Sequence, residues 1–374
     1  MNGAPVNIKE LIAETGDDSV YSADAIYGYL ERLLAAPAPN SGARLTGAVG
    51  EVIGDIAGEL SLSPLADPRI RATGNLAIAV GAASESADLL ITAHMDRPSF
   101  RVLNLAEATL YPLCAIRVPQ PQYRCRAIAV RYLAGRIETT AEGALQFGEV
   151  NGEQQIRFDV ESGSLAWGDT VMMAAEPRLS NGRVIGTGLD NATGVAVGLL
   201  SARVLSAFSD ALAARGRKVI FAFTDQEEGP PDGLFGQGAS RLAHALPPPR
   251  LGFINIDAHN VDESTGHRPG IGASHAFVSG YGRGSVIPLE YQGLATDLAE
   301  EVNGSRPGTV KLNYGYVSRS DDMLLSLNAR CLGLIGVVLE NAHTTEETVA
   351  LEDLAAAVRW ISAYVLRILE SKRN

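Results

Sequence analysis

Apolar residues recur at helical spacing over residues 23–36, where Ile26, Leu30, Leu33 and Leu34 share a face until Pro37 and Pro39 end the run. A second helical pattern covers Val49, Val52, Ile53, Ile56, Ala57 and Leu60. Strand-like segments follow at residues 75–80 and 88–92. Between residues 98 and 177 the pattern changes to short alternating segments, at 127–132, 135–139, 155–160 and 170–173. Turn pairs such as Asn151-Gly152 and Gly168-Asp169 separate them, which predicts a small all-β module without helices. After Val184 strands and helices alternate: helix 192–208, strand 219–224, helix 234–245 closed by Pro247-Pro248-Pro249, strand 251–256, helix 289–302, strand 332–339 and helix 351–369. Near-continuous apolar strands alternating with helices predict an α/β fold, a mainly parallel mixed sheet covered by helices on both faces. That domain takes residues 1–97 plus 178–374 and is split by an inserted β-barrel-like domain at 98–177.

Composition narrows the function classes. The 374 residues carry 31 Lys plus Arg against 43 Asp plus Glu, a net charge of −12, which lacks the basic footprint of a nucleic-acid binder. No apolar run approaches the ~20 residues of a membrane span. Residues 1–18 lack the basic start and apolar stretch of a signal peptide. Cys114, Cys125 and Cys331 fit no metal or redox spacing and read as incidental thiols of a reducing compartment. The expected location is the cytoplasm.

The chemistry lies where apolar strands end. Residues 89–91 run into His94 and Asp96, and residues 219–224 into Asp225, Glu227 and Glu228. Residues 253–256 run into Asp257, and residues 336–339 into Glu340 and His343. Open α/β sheets bind ligands beyond the carboxyl ends of their strands, so these side chains should converge on one edge. Asp190, just before the helix at 192, is either a helix cap or a ligand at that edge; among so many acids the second reading is preferred. His259 has no assigned role, and Asp321-Asp322 either supports His343 or caps a helix. Two imidazoles with several carboxylates and no thiolate suit zinc, cobalt or manganese. Two cations ~3.5–4 Å apart can clamp a water and a substrate carbonyl, with a non-ligand carboxylate as base.

The set Ala93-His94-Met95-Asp96, Leu189-Asp190-Asn191, Gln226-Glu227-Glu228, Asn255-Ile256-Asp257 and His343 with Glu346 resembles the tetrahedral-aminopeptidase family. That family includes deblocking, glutamyl and leucyl aminopeptidases and belongs to the wider clan of co-catalytic zinc exopeptidases. The Trp167-Gly168-Asp169 turn is also similar to the family's. The resemblance implies two divalent metal ions per chain, held by His94, Asp190, Glu228, Asp257 and His343, with zinc expected and cobalt or manganese as alternatives. It implies that Asp190 bridges both, that Glu228 joins His94 on one metal, and that His343 joins Asp257 on the other. Glu227 becomes the general base acting on a bridging water, and Asp96 orients the His94 imidazole. The chain departs from the family pattern at Arg97 and at Gly229-Pro230-Pro231-Asp232.

The resulting expectation is a dinuclear metallo-aminopeptidase acting on peptides or small amides, with no nucleic-acid or membrane partner. Family assembly implies a homo-oligomer, a dimer or dodecamer, built through the inserted module. A deacylase or carboxypeptidase on the same metals is the rival enzyme, and a metal-free scaffold the non-enzymatic one. No G-x-S-x-G elbow, phosphate loop or G-x-G-x-x-G turn supports a serine hydrolase or nucleotide binder.

Overall fold

A computed structural model describes residues 18–118, 122–150, 153–230, 233–316 and 318–371. The expectations for residues 1–17, for the Asn151-Gly152 turn and for Pro231-Asp232 lie outside these. Strands β1 (Leu76–Gly81) and β2 (Leu89–His94) open the α/β part. Strands β3 (Ser99–Asn104), β4 (Thr109–Pro112), β5 (Tyr123–Leu133), β6 (Arg136–Val150), β7 (Glu153–Gly163) and β8 (Thr170–Met173) then form a closed barrel in the order β3-β4-β7-β6-β5-β8. Next come β9 (Arg178–Ser180), β10 (Arg183–Gly186), β11 (Lys218–Thr224), β12 (Gly252–Ile256), β13 (His259–Asn260), β14 (Ala273–Ala276) and β15 (Val310–Asn313). The last strands are β16 (Cys331–Gly336), β17 (Val338–Leu339) and β18 (Glu347–Ala350).

The main sheet has seven strands in the order β1-β11-β2-β12-β16-β14-β15. Its centre, β11-β2-β12-β16, is parallel, with antiparallel pairs at β1-β11 and β16-β14. Every residue of β2, β12 and β16 is buried, which explains their unbroken apolar runs. Helices Ala23–Ala35, Leu189–Ser206 and Leu351–Glu370 pack together on the sheet, while Gln237–Ala245 packs on β11 and the short helix Asp322–Leu325 on β16. The helix Leu189–Ser206 is small or apolar on all sides and buried almost throughout, as a helix without a polar face must be. A separate apolar core around Phe100, Phe147 and Phe158 fills the barrel.

Three departures from the sequence expectation have local causes. The helix expected from residue 234 begins at Gln237, because Gly236 N and Gln237 N donate at 2.9 Å to Glu227 O and Gln226 O, tying residues 234–236 to the acidic loop. The strand expected over 332–339 breaks after Gly336, where the chain crosses Asp257 so closely that a Cβ would meet its carbonyl oxygen at 1.6 Å. Strands β14 and β15 escape recognition because each has four residues and carries polar Ser274, His275 or Lys311. His275 is core: its Nδ1 accepts from Trp360 Nε1 at 3.0 Å.

Candidate metal centre

The sheet register places the first ligands. β12 pairs with β2 so that Asn255 faces Thr92; two residues further, Asp257 stands beside His94. On the other side of β2, Thr224 ends β11 opposite His94 and starts the loop to Glu227 and Glu228. Asp190 and Asn191 have non-helical backbone angles at the head of helix Leu189–Ser206, which turns the Asp190 side chain into the same space. His343 arrives from the β17–β18 corner in a left-handed conformation, φ 61°.

Two buried clusters result: His94, Asp190 and Asp257, and Asp190, Glu228 and His343. His94 Nε2 lies 3.2 Å from Asp190 Oδ1 and 3.5 Å from Asp257 Oδ1. His343 Nε2 lies 3.5 Å from Asp190 Oδ2 and 3.2 Å from Glu228 Oε1. Asp190 therefore offers one oxygen to each cluster. The partners of the two imidazoles differ from the expected pairing: Asp257 sits with His94 and Glu228 with His343. Adjacent-strand register fixes the first pair, and the reach of the acidic loop away from β11 fixes the second.

Hydrogen bonds orient both imidazoles alike. His94 Nδ1 lies 3.1 Å from Asp96 O, and His343 Nδ1 lies 2.7 Å from Ala115 O. A carbonyl only accepts, so each Nδ1 carries a proton, and each Nε2 faces carboxylate oxygens across a gap that either a second imidazole proton or a metal ion must fill. Acceptors facing acceptors in a buried site need a cation between them. Glu228 Oε1, moreover, is buried without a hydrogen-bond donor. The donor set thus fits two divalent cations sharing Asp190.

The same charges shift the protonation of the cluster. Burial disfavours a charged His94, but Glu227, Asp190 and Asp257 lift its pKa well above the ordinary value. Burial likewise opposes ionised Asp190, yet His343 and His94 hold its pKa below the usual carboxylate range. Burial, with Asp257 and Glu228 nearby, raises Glu227 well above it.

Asp96 acts differently from expectation. Its backbone carbonyl, not its carboxylate, accepts from His94, and the nearest carboxylate oxygen is 3.7 Å from Nδ1. The carboxylate instead receives Glu227 N at 3.0 Å and Glu228 N at 3.2 Å, and Asn40 Nδ2 at 3.1 Å. Asn40 Nδ2 also donates to Glu228 O at 2.8 Å. Asp96 and Asn40 therefore clamp the Glu227-Glu228 backbone. Glu227 belongs to neither ligand cluster, although its Oε2 lies 3.9 Å from His94 Nε2. Both clusters and Glu227 line a cavity of about 320 Å³.

The sequence profile of peptidase family M20/M25/M40 matches residues 165–367, more than half of the chain. The chain belongs to this peptidase family. No curated protein sequence matches it. Among solved structures, this M20/M25/M40 chain is similar to aminopeptidase APDkam598 from the archaeon Desulfurococcus kamchatkensis, with 18% identity, 94% of this chain and 98% of that chain covered, and TM-score 0.72. It is also similar to a TET aminopeptidase from a marine-sediment Thaumarchaeota archaeon, with 16% identity, 91% and 96% covered, and TM-score 0.70. The third is TET1 peptidase of Pyrococcus horikoshii, with 20% identity, 90% and 98% covered, and TM-score 0.65. At these identities the likeness is one of fold.

Several further residues around the ligands have roles that only the fold reveals. Buried Glu347 accepts His343 N through Oε1 and Leu189 N through Oε2, both at 2.7 Å, so one carboxylate ties two ligand-bearing segments together. Burial and the Asp190 charge raise its pKa to about 8. Glu346, three residues after His343, instead pairs with Arg178 at the surface. Buried Arg97 donates to Leu33 O at 2.7 Å and Leu34 O at 3.1 Å, capping the carbonyl end of helix Ala23–Ala35, and packs on Gly188 beside Asp190. His259 Nδ1 bonds Ser274 Oγ at 2.7 Å and its ring stacks on Tyr316; burial lowers its pKa to about 3. Asp321 occupies the N-cap position of helix Asp322–Leu325, but its side chain bonds Thr224 Oγ1 rather than the helix, and Asp322 bonds Ser279 Oγ, Ser285 N and Ser320 N. The chain segment between β4 and β5 supplies Ala115 O and Arg117, and Tyr123 of β5 bonds Thr345 Oγ1 at 2.9 Å, so barrel-side residues help to build the site.

Proposed function

We propose that the chain is a dinuclear metal-dependent aminopeptidase, and the observation that carries this is the pair of buried clusters sharing Asp190. Zinc is the metal that two imidazoles with carboxylates favour, with cobalt and manganese as alternatives. His94, Asp190 and Asp257 would hold one ion and Asp190, Glu228 and His343 the other. Bound divalent ions polarise a carbonyl and make water acidic at neutral pH. The chain's own part follows from its geometry. Glu227 is in the cavity beside both clusters and free of ligand duty, so it takes the proton from the attacking water and passes it to the leaving amine. Asp96 and Asn40 hold the Glu227-Glu228 backbone still while this happens.

Chelation should abolish hydrolysis of aminoacyl p-nitroanilides, and zinc, cobalt or manganese should restore it. N-acetylated versions should not be turned over. Cleavage of N-acyl amino acids or of blocked peptides instead would support a deacylase or carboxypeptidase on the same centre.

Homo-oligomeric assembly is part of this reading. Pyrococcus horikoshii TET1 can assemble into a tetrahedron or a large octahedral shell. Here Leu103, Tyr111, Tyr132, Val160 and Trp167 stand individually exposed on the barrel and are available for contact with further copies. Excising residues 98–177 is expected to yield a smaller species in light scattering. Because Ala115 is lost as well, metal affinity should also fall. An unchanged oligomer would remove the barrel from the assembly account. Cys114, Cys125 and Cys331 are free and buried, which suits the reducing cytoplasm where we place the protein. Among the described residues no helix is long and apolar enough to cross a membrane.

A further inference from the structure

The cavity beside the metal centre is also lined by three arginines, Arg117, Arg283 and Arg319, which come from separate segments. None of them forms an ion pair with a described acid. Gly280 holds two of them side by side. Its carbonyl accepts Arg283 Nε at 3.0 Å, and a Cβ there would lie 2.8 Å from Arg319 Cγ, so the Arg319 stem rests on the glycine. The turn is anchored below: Ser279 Oγ donates to buried Asp322 at 2.6 Å and accepts from Ser285 N at 2.8 Å. The Arg319 guanidinium lies over the Phe235 ring at 5.4 Å, a shelf that fixes its plane without consuming its N–H donors. Arg117 enters from the barrel side.

Two divalent ions at the centre would offset the four carboxylates that line the cavity, Asp190, Glu227, Glu228 and Asp257, and would leave the three arginines as its net positive charge. Planar guanidinium donors match carboxylate oxygens. The geometry points to a carboxylate-selective substrate subsite: the peptidase takes peptides that place a carboxylate against Arg283, Arg319 and Arg117. This deepens the aminopeptidase reading and rests on it. The carboxylate has two sources, an acidic N-terminal side chain or the free C-terminus of a short peptide.

The test uses the metal-loaded full chain. In the first arm, kcat/KM is measured for the p-nitroanilides of Glu, Gln, Leu and Lys; in the second, for Leu-Gly-Gly and its C-terminal amide. A charge-assisted contact predicts about 10–100-fold preference for Glu over Gln, or for the free tripeptide over its amide. Arg319→Gln and Arg283→Gln should each shrink that ratio, with the metal content checked in both. Calorimetric binding of the α-amides of glutamate and glutamine, and of the two tripeptides to Glu227→Gln enzyme, reads the same preference without turnover. Failure of the aminopeptidase reading is therefore distinguishable from failure of the subsite. Preference in the first arm assigns the side chain, and in the second the C-terminus. Equal treatment of both members of each pair in kinetics and binding overturns the proposal, as does a preference that both arginine variants retain.

Discussion

Replacing Glu227 by Gln is expected to lower kcat by about 10²–10⁴-fold while both metals stay bound. The carboxamide keeps the size of the side chain but cannot accept a proton. Glu227 is in neither ligand cluster, and its backbone is held by its N–H, 3.0 Å from Asp96 Oδ1. The neighbouring N–H of Glu228 goes to the other oxygen, Asp96 Oδ2, at 3.2 Å. One carboxylate thus fixes both backbones, and the side chains part from there. Glu228 Oε1 reaches 3.2 Å from His343 Nε2. Glu228→Gln should therefore weaken the Glu228–His343 metal site, since a neutral amide is a poorer ligand for zinc. Measuring kcat and bound metal for both variants side by side separates the roles. Loss of a metal in Glu227→Gln, with both kept in Glu228→Gln, would reverse them.

The second large effect is expected at Asp190. Its two oxygens lie 3.2 Å from His94 Nε2 and 3.5 Å from His343 Nε2, so a single side chain serves both metal positions. Asp190→Ala should weaken both sites together, beyond the ~10–100-fold typical of losing an outer partner of a ligand. The metal-free variant loses the carboxylate that pairs with both buried imidazoles and should itself melt lower, so the comparison is made on the shift that metal adds. What disappears is the metal-induced rise in melting temperature. For the wild type that stabilisation is about 2.7 kcal/mol for each site at 100 times its Kd. Thermal scans with increasing zinc therefore give a direct comparison. A variant that still gains the full shift from one tightly bound ion would show that Asp190 serves one site alone.

The apolar runs of β2, β11 and β12 were legible because strands buried on both faces must be apolar throughout, and each run ended in an ionisable residue. That pattern points His94, Glu227, Glu228, Asp257 and His343 toward one edge, while the bridging role of Asp190 and the choice of Glu228 as ligand follow from the family resemblance alone. The partnership of the ligands was not legible, because it depends on sheet register: Asp257 stands beside His94 only through the pairing of Asn255 with Thr92. Glu347 was hidden for a related reason. It belongs to a four-residue strand beside the surface-paired Glu346, and the two acids part clearly only when β18 pairs with β10 and buries Glu347. A weak signal existed in the Thr348-Val349-Ala350 run after it. Asp96 is expected to orient His94, and the contact runs through its backbone carbonyl, since sequence spacing cannot tell a carbonyl from a carboxylate as the imidazole's partner. The three cavity arginines come from loops with no periodic pattern, and only the fold brings them together.

Two shared-ligand clusters make metal stoichiometry the most direct test of the account. Elemental analysis of the full chain, zinc-loaded and desalted, should give close to two equivalents per chain for the wild type. A clean single equivalent in the wild type, with full activity, would contradict the dinuclear centre.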